Sequence, residues 1–401
     1  MPDSLIIQGD ARHIPLANES VQCVVTSPPY WDLRDYKIGP NQLGLEPTPE
    51  LYVQHIVEIF REVGRVLRKD GTCWINLGDS YCGSWGNSGQ RPEIDGQSDG
   101  QRKKSTEYLP RGGWDERREV PPNQKIAGLK PKDLVGIPWR VAFALQADGW
   151  WLRSDIIWAK PNPMPESVMD RPTRAHEYLF LLTKSEKYYW DQEAVREAHV
   201  EPWRGKGEHE SKTPHSGRLD TNEQAAFTVA VRQYNPNGRN IRTVWTIATQ
   251  PFPEAHFATF PEKLVEPCVL AGTSEFGCCS ECGAAWDRMV ESPKIPDEMR
   301  NRSDETKMGF HTRQLGGGQA IQNWRDNNPP KTAGWCRTCN HDTKPIPCTV
   351  LDPFAGSGTV GVVCARLNRR FVGIELSEEY CSMARKRIAP YAAQAHLPLG
   401  G

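Results

Sequence analysis

"VLDPFAGSGTVG", residues 350 to 361, decides the fold. Aliphatic residues run into Asp352-Pro353-Phe354, and Gly356-Ser357-Gly358-Thr359 then leads into a helical segment. A strand that ends in a glycine turn and opens a helix brings backbone amides close to a ligand. Glycine has no Cβ to hold the ligand off, and the first helical N–H groups lack intrahelical partners. A nucleotide or nucleoside site is implied. It is not a phosphate-binding P-loop, since no lysine follows the second glycine. Gly356, Gly358 and Gly361 fit the dinucleotide pattern Gly-x-Gly-x-x-Gly, which by itself leaves an NAD site open. The next strand, "FVGIEL" at residues 371 to 376, closes with Glu375, placed as the acid that hydrogen-bonds ribose hydroxyls. Loop and acid together point to an adenosine-containing cofactor.

Short β-rich runs alternate with helical patterns along the rest of the chain, which predicts an α/β fold with a largely parallel sheet and helices on both faces. Seven strands are expected, at Leu5 to Gln8, Val21 to Thr26, Thr72 to Leu77, Leu152 to Trp158, Tyr178 to Thr183, Thr349 to Leu351 and Phe371 to Ile374. The clearest helix runs from Glu50 to Arg68, with Leu51, Ile56, Ile59, Phe60, Val63 and Val66 as its apolar stripe and Asp70-Gly71 as its stop. A chain of 401 residues with 38% hydrophobic content suits one large domain with insertions, or two domains.

Three regions break the alternation. Residues 82 to 131 are rich in Gly, Ser, Gln, Arg and Lys and read as a surface insertion. Residues 191 to 245 are similarly polar, with Trp203, Arg204, His209, Lys212, His215, Arg232 and Arg239 spread through them. Residues 277 to 347 hold the pairs Cys279-x2-Cys282 and Cys336-x2-Cys339, a spacing that lets each pair clamp one tetrahedral zinc; Cys278 and His341 are adjacent alternatives. The other cysteines among the twelve are scattered, which suits reduced thiols rather than a disulfide scaffold. A formal charge of -1 excludes a uniformly basic nucleic-acid coat but permits a local basic face. Residues 101 to 160 hold twelve Lys/Arg against seven Asp/Glu and are the candidate phosphate-facing surface. Met1 to Asp10 has neither a basic start nor a long apolar run, and no stretch matches a membrane span, so a cytoplasmic protein without membrane partners is expected.

"VVTSPPYWDLRDY", residues 24 to 36, sends a β-branched run straight into Ser27-Pro28-Pro29-Tyr30-Trp31. Thr-Ser-Pro-Pro-Tyr-Trp early and Asp-Pro-Phe-x-Gly-Ser-Gly-Thr late resemble the DNA amino-methyltransferases in their permuted β order, with the catalytic motif ahead of the S-adenosylmethionine motif. That pairing decides against NAD. "LIIQGDA", "DIIWAKPNPMPES", "HEYLFLLTKS" and "HFATFPEKL" are similar to further family segments, so the resemblance covers nearly the whole chain. It implies a Rossmann-like class I methyltransferase fold, circularly permuted, with a seven-stranded mostly parallel sheet; the zinc-ribbon insertion is expected from the cysteine spacing alone. Residues 1–81 and 132–190 would form the catalytic half, 82–131 a basic insertion and 191–245 the target-recognition segment. Residues 246–276 would border the cofactor, 277–347 hold the zinc ribbon and 348–401 bind S-adenosylmethionine.

The family's sheet places the catalytic strand beside the cofactor strand where strand order reverses, so that residues about 320 apart form two walls of one pocket. An exocyclic amine on cytosine or adenine is a poor nucleophile, its lone pair being delocalised into the ring. Hydrogen-bond acceptors aimed at the amino hydrogens favour a pyramidal nitrogen. Ser27 and the Pro28 carbonyl suit that task, with Pro29 stiffening the turn. Tyr30 is the expected stacking platform for a base rotated out of the duplex, and Trp31 either extends it or packs beneath it. The resemblance assigns Asp10 to the cofactor adenine amine, Asp352 to the methionine end, and Phe354, Gly356, Ser357, Gly358, Thr359 and Glu375 to the remaining cofactor contacts. Phe260 and His256 fall in the bordering segment.

Ser before Pro-Pro-Tyr is typical of family members acting on the 4-amino group of cytosine, with adenine 6-amino methylation as the alternative. A non-catalytic zinc-ribbon DNA-binding protein is a more distant one. Double-stranded DNA is the expected partner, a cognate restriction endonuclease a candidate one, and the oligomeric state stays open. Pro267-Cys268 and Pro347-Cys348 precede the cofactor motif and read as structural, not as the nucleophile of carbon-5 methylation.

Overall fold

The computed structural model describes residues 4–33, 35–36, 42–82, 128–198, 235–250, 260–297, 299 and 316–394. They fall into two compact units, Met1–Asp191 with Arg242–Trp286 and Arg337–Gly401, and Gln192–Ile241 with Asp287–Cys336.

In the first unit the chain forms β1 (Ser4–Gln8), β2 (Val21–Thr26), α1 (Pro49–Val66), β3 (Leu67–Leu77), α2 (Ile137–Ala147), β4 (Trp151–Ala159) and β5 (His176–Thr183). After an excursion to the second unit it continues with β6 (Val244–Thr246), α3 (Glu262–Gly272) and β7 (Cys278–Cys279). The second unit holds β8 (Asp287–Glu291), α4 (Gly316–Asn327) and β9 (Lys331–Cys336). The first unit closes with β10 (Pro345–Ile346), β11 (Thr349–Asp352), α5 (Thr359–Arg366), β12 (Arg370–Glu375) and α6 (Glu378–Gln394).

The main sheet has the order β1-β12-β11-β2-β3-β5-β4-β6. Pairing is parallel throughout except where β5 runs against β3 and β4. All seven expected strands are present. The eighth, β6, is three residues long and has only Trp245 buried, too short for any periodicity to announce it. β11 lies beside β2, with Val350 opposite Cys23 and Leu351 opposite Val24. From that junction the chain proceeds outward both ways, β11 toward β12 and β2 toward β3, so the carboxyl ends of β2 and β11 open on one crevice.

Helices cover both faces, as alternation along β2 requires. Successive strand residues point to opposite sides. Val24 joins the cluster that holds Ile56, Phe60 and Val63 of α1, whereas the Cys23 thiol points at the Cys268 carbonyl of α3.

The Thr48 hydroxyl caps α1 by accepting from the Leu51 amide, and Pro49 suits the first helical position because its missing N–H would have had no partner there. Its buried stripe is Tyr52, Ile56, Ile59, Phe60, Val63 and Val66; Tyr52 takes the place expected for Leu51, which is only half-buried. Full burial of each such aliphatic or Phe side chain stabilises by about 1.5 to 3 kcal/mol. The helix stops at Val66, ahead of Asp70-Gly71, because Leu67 is already paired with Val21 in the sheet.

The second unit carries an antiparallel pair of β8 on β9, from Asp287 opposite Cys336 to Glu291 opposite Lys331, with Arg288 over the Trp335 ring at 4.4 Å. Among the described residues no helix is long and apolar enough to cross a membrane.

Candidate active site

The glycine turn begins where β11 ends. Asp352 is 1% exposed, and its Oδ1 accepts from the Phe354 amide at 3.0 Å and from the Thr26 hydroxyl at 2.7 Å. Thr26 is the last residue of β2, so the two motifs meet through one hydrogen bond. Asp352 Oδ2 is buried without a hydrogen-bond partner among the described residues. Burial pushes the Asp352 carboxyl up to about 7, against the Thr26 and Phe354 hydrogen bonds and with the Glu375 charge adding to the rise. A buried acceptor left unsatisfied costs roughly 1 to 3 kcal/mol, and a bound polar group would relieve it.

Glu375, at the end of β12, accepts from the Gly356 amide at 2.9 Å and the Ser377 amide at 3.0 Å. Burial raises its carboxyl, and the Ser377, Gly356 and Leu376 amides oppose that rise. The three glycines differ in their surroundings. Gly356 has φ +49, and a Cβ there would meet nothing closer than the Phe354 carbonyl at 3.9 Å, so the backbone is open to a ligand. A Cβ at Gly358 would press on Ala384 at 2.9 Å and one at Gly361 on Ile388 at 2.2 Å, so these two let α5 pack against α6. Ser357 and Thr359 turn their hydroxyls onto Arg387, each accepting at 3.0 Å, and Arg387 pairs with Glu262 of α3. Phe354 is partly buried against the core. The fit to an S-adenosyl group is therefore carried by the unsatisfied Asp352 oxygen, the open Gly356 backbone and the Glu375 carboxylate.

On the β2 side, Tyr30 donates its hydroxyl among acceptors at Glu177 Oε2, 2.7 Å away, and Asn76 Oδ1, 2.9 Å away. Ser27 Oγ lies 3.4 Å from the same Asn76 oxygen and 3.5 Å from the Tyr30 hydroxyl. Burial and then the Glu177 charge push the Tyr30 phenol well above its ordinary value, which keeps it protonated. Glu177 forms an ion pair with Lys160, whose ammonium lies over the Trp158 ring at 4.3 Å. The Tyr30 ring rests on the backbone just past β3, where a Cβ at Gly78 would come within 2.4 Å of it. Pro28 is buried, and the Pro29 carbonyl accepts from the Tyr52 hydroxyl of α1 at 2.9 Å, fixing the turn from beneath. Trp31 is 5% exposed and donates to the Glu46 carbonyl, so it belongs to the core rather than to a platform.

Asp10 follows β1 on the edge beside Glu375; its carboxylate accepts from the Arg12 amide and pairs with the Arg12 guanidinium at 2.9 Å. Phe260 is half-buried, and His256 lies outside the described residues. Residues 83–127 and 199–234, most of the basic insertion and of the recognition segment, lie outside them as well. Within the described part of the basic stretch, Lys130, Lys132, Arg140 and Lys160 each pair with a carboxylate. Of the four cysteines expected at a metal, Cys279, Cys282 and Cys339 come together, and His341 completes the group in place of Cys336. Cys336 is exposed and held in register with Asp287 at the end of β9.

Asn76, Glu177 and Lys160 were not singled out by their sequence signal, although Glu177 and Lys160 sit in "HEYLFLLTKS" and "DIIWAKPNPMPES". Isolated polar residues at strand ends have no spacing of their own, and only the sheet order brings them to Tyr30.

A DNA methylase family model, for N6 and N4 methyltransferases, matches residues 21–279 and 344–386. The type II methyltransferase M.Cfr9I of Citrobacter freundii is 40% identical over 385 residues, covering 96% of this chain and 87% of that protein. The type II methyltransferase M.SmaI of Serratia marcescens is 39% identical over 385 residues, covering 96% of this chain and 90% of that protein. The solved PvuII DNA methyltransferase (cytosine-N4-specific) aligns with a TM-score of 0.49 and 15% identity over 96% of this chain and 86% of that one. The chain belongs to the DNA amino-methyltransferases, the S-adenosylmethionine-dependent DNA methylases of the N6/N4 family.

Proposed function

We propose that the protein is a site-specific methyltransferase acting on the exocyclic 4-amino group of cytosine in duplex DNA. The observation that carries the reading is the Thr26 to Asp352 hydrogen bond, which sets the Ser27 to Tyr30 turn beside the glycine turn at adjoining strand ends. β2 precedes β11 in the chain, which supports the circularly permuted form of the methyltransferase fold.

Bound S-adenosylmethionine supplies a methyl group already activated on a sulfonium. Asp352, through its unsatisfied oxygen, holds the polar methionine end; Glu375 takes the ribose and Gly356 lets the backbone approach. Asp10 serves the adenine, exchanging its Arg12 pairing for the ligand. Ser357, Gly358, Thr359 and Phe354 shape the turn. The target base leaves the duplex and stacks on Tyr30, and base–aromatic stacking of about 1 to 3 kcal/mol offsets part of the unstacking cost. Ser27 and the Pro28 carbonyl would accept from the amino group and so orient its lone pair for the transfer. With the electrophile already activated, positioning contributes most of the rate and no covalent enzyme intermediate is required.

Cytosine is favoured because Ser27 offers a neutral acceptor at the position where adenine enzymes typically carry aspartate. The segment 191–245 reads the target sequence in this proposal, and a restriction endonuclease of matching specificity is the proposed companion, in keeping with the type II relatives. Its place of action is the cytoplasm, with the DNA.

The deciding experiment is methylation of genomic DNA by the purified protein, digestion to nucleosides and mass spectrometry. N4-methylcytosine is expected. N6-methyladenine would move the reading to adenine, and no modified nucleoside with S-adenosylmethionine bound would leave a DNA-binding protein without catalysis.

A further inference from the structure

The thiols of Cys279, Cys282 and Cys339 and a ring nitrogen of His341 lie within 4.8 Å of one another. Zinc held by thiolates at about 2.3 Å in a tetrahedron keeps its sulfurs roughly 3.8 Å apart, so this group needs only a slight contraction to close on an ion. We propose that these four side chains bind one structural zinc ion, as a Cys3His site, and that the site braces the ends of β2 and β11 opposite the methyl-transfer crevice.

Three features support the ligand set. His341 turns Nδ1 toward the Cys279 sulfur at 3.7 Å while its Nε2 faces Glu281 Oε2 at 3.8 Å. A carboxylate facing the far ring nitrogen favours a proton there and so the tautomer that leaves Nδ1 free to ligate. The turn after Cys279 is also built for a knuckle: the Gly283 amide donates to the Cys279 carbonyl at 2.8 Å, and Gly283 has φ +70, the left-handed region that favours glycine. Cys278, one residue before the first ligand, points the other way, toward the Pro347 carbonyl, which removes it from the set.

The knuckle is tied into the sheet by its backbone. Gln22, in β2, donates to the Gly283 carbonyl at 3.0 Å and accepts from the Thr349 amide at the start of β11 at 2.7 Å. Arg68 donates to the Cys282 carbonyl and pairs with Asp70 in β3. One buried amide side chain thus joins the knuckle to both strands whose far ends carry the two motifs. Four protein ligands close the site and leave no position for substrate, so the metal serves the fold and not the chemistry.

The test is metal analysis and native mass spectrometry of the full-length protein, with cobalt replacing zinc as a spectroscopic probe. One zinc per chain is expected, with thiolate-to-cobalt charge transfer and tetrahedral visible bands. Cys336→Ser should keep the ion, and Cys339→Ser and His341→Ala should lose it or hold it far more weakly. Glu281→Gln, which leaves all ligands in place, should lower zinc affinity about 10-fold to 100-fold in competition with a chelating dye. Wild-type protein that takes up neither zinc nor cobalt would overturn the site. Loss of the ion in Cys336→Ser with full retention in His341→Ala would overturn the ligand set. Neither outcome bears on methyl transfer, which the nucleoside assay measures separately.

Discussion

The Thr26 hydroxyl donates to Asp352 Oδ1 at 2.7 Å, joining residues 326 positions apart at the ends of two neighbouring parallel strands. Thr26 is fully buried and Asp352 almost so, and no other described side chain hydrogen-bonds to that carboxylate. Thr26→Val keeps the shape and removes the donor. It should destabilise the protein by about 1 to 3 kcal/mol near neutral pH, where the carboxylate is partly charged, and by less at pH 5. Urea unfolding at the two pH values checks this, and equal losses at both would separate the hydroxyl from the charge it serves.

Asp352 also sets a pH dependence. Its carboxyl titrates at about 7 in the folded chain against an ordinary value of 3.8. Between those values the folded state holds a proton that the unfolded state has released, so this group's contribution to stability falls as pH rises from about 4 to about 7. Asp352→Asn removes that slope and should leave the ligand-free protein more stable than wild type at pH 8. The same substitution should weaken S-adenosylmethionine binding. In wild type, affinity should rise from pH 6 to pH 8 as the carboxylate forms, and calorimetry in buffers of different ionisation enthalpy should register proton release on binding. A flat affinity profile would remove Asp352 from the cofactor contact.

Seven of the eight strands of the main sheet were legible, most of them as aliphatic or β-branched runs and β11 through the glycine motif it leads into, and the family resemblance set β2 beside β11. Side-chain direction was not legible. Ser357 and Thr359 occupy motif positions yet face Arg387, because α6 packs on the outer side of the turn. Trp31 follows Tyr30 directly but drops into the core, since neighbouring positions leave the turn in opposite directions. His341 displaced Cys336 for a related reason: spacing marks a pair of cysteines, but β9 extends through the first of them.

Tyr30 separates stacking from hydrogen bonding. Tyr30→Phe keeps the ring and removes the links to Glu177 and Asn76, whereas Tyr30→Ala removes the ring proposed as the stacking platform. Stacking of about 1 to 3 kcal/mol per base corresponds to roughly a 5-fold to 150-fold loss in kcat/KM for DNA. Tyr30→Ala should show at least that loss with S-adenosylmethionine affinity unchanged, and Tyr30→Phe should lose less. Steady-state rates with calorimetric cofactor binding measure both, and equal losses in the two variants would place the function in the hydroxyl rather than the ring.

Gly78 offers a test of how the Tyr30 ring is seated. A Cβ there would fall 2.4 Å from Tyr30 Cε2 and 2.7 Å from Cδ2, so the ring must move. The hydroxyl is held at its far end by Glu177 and Asn76, which prevents a simple slide along the strand. Gly78→Ala should therefore cost turnover on the scale of Tyr30→Ala, with S-adenosylmethionine affinity preserved. Because both substitutions act on one ring, Gly78→Ala combined with Tyr30→Ala should be little worse than Tyr30→Ala alone, a non-additivity that independent defects would not show. Additive losses in the double variant would mean that Gly78 serves the crevice by some route other than seating Tyr30.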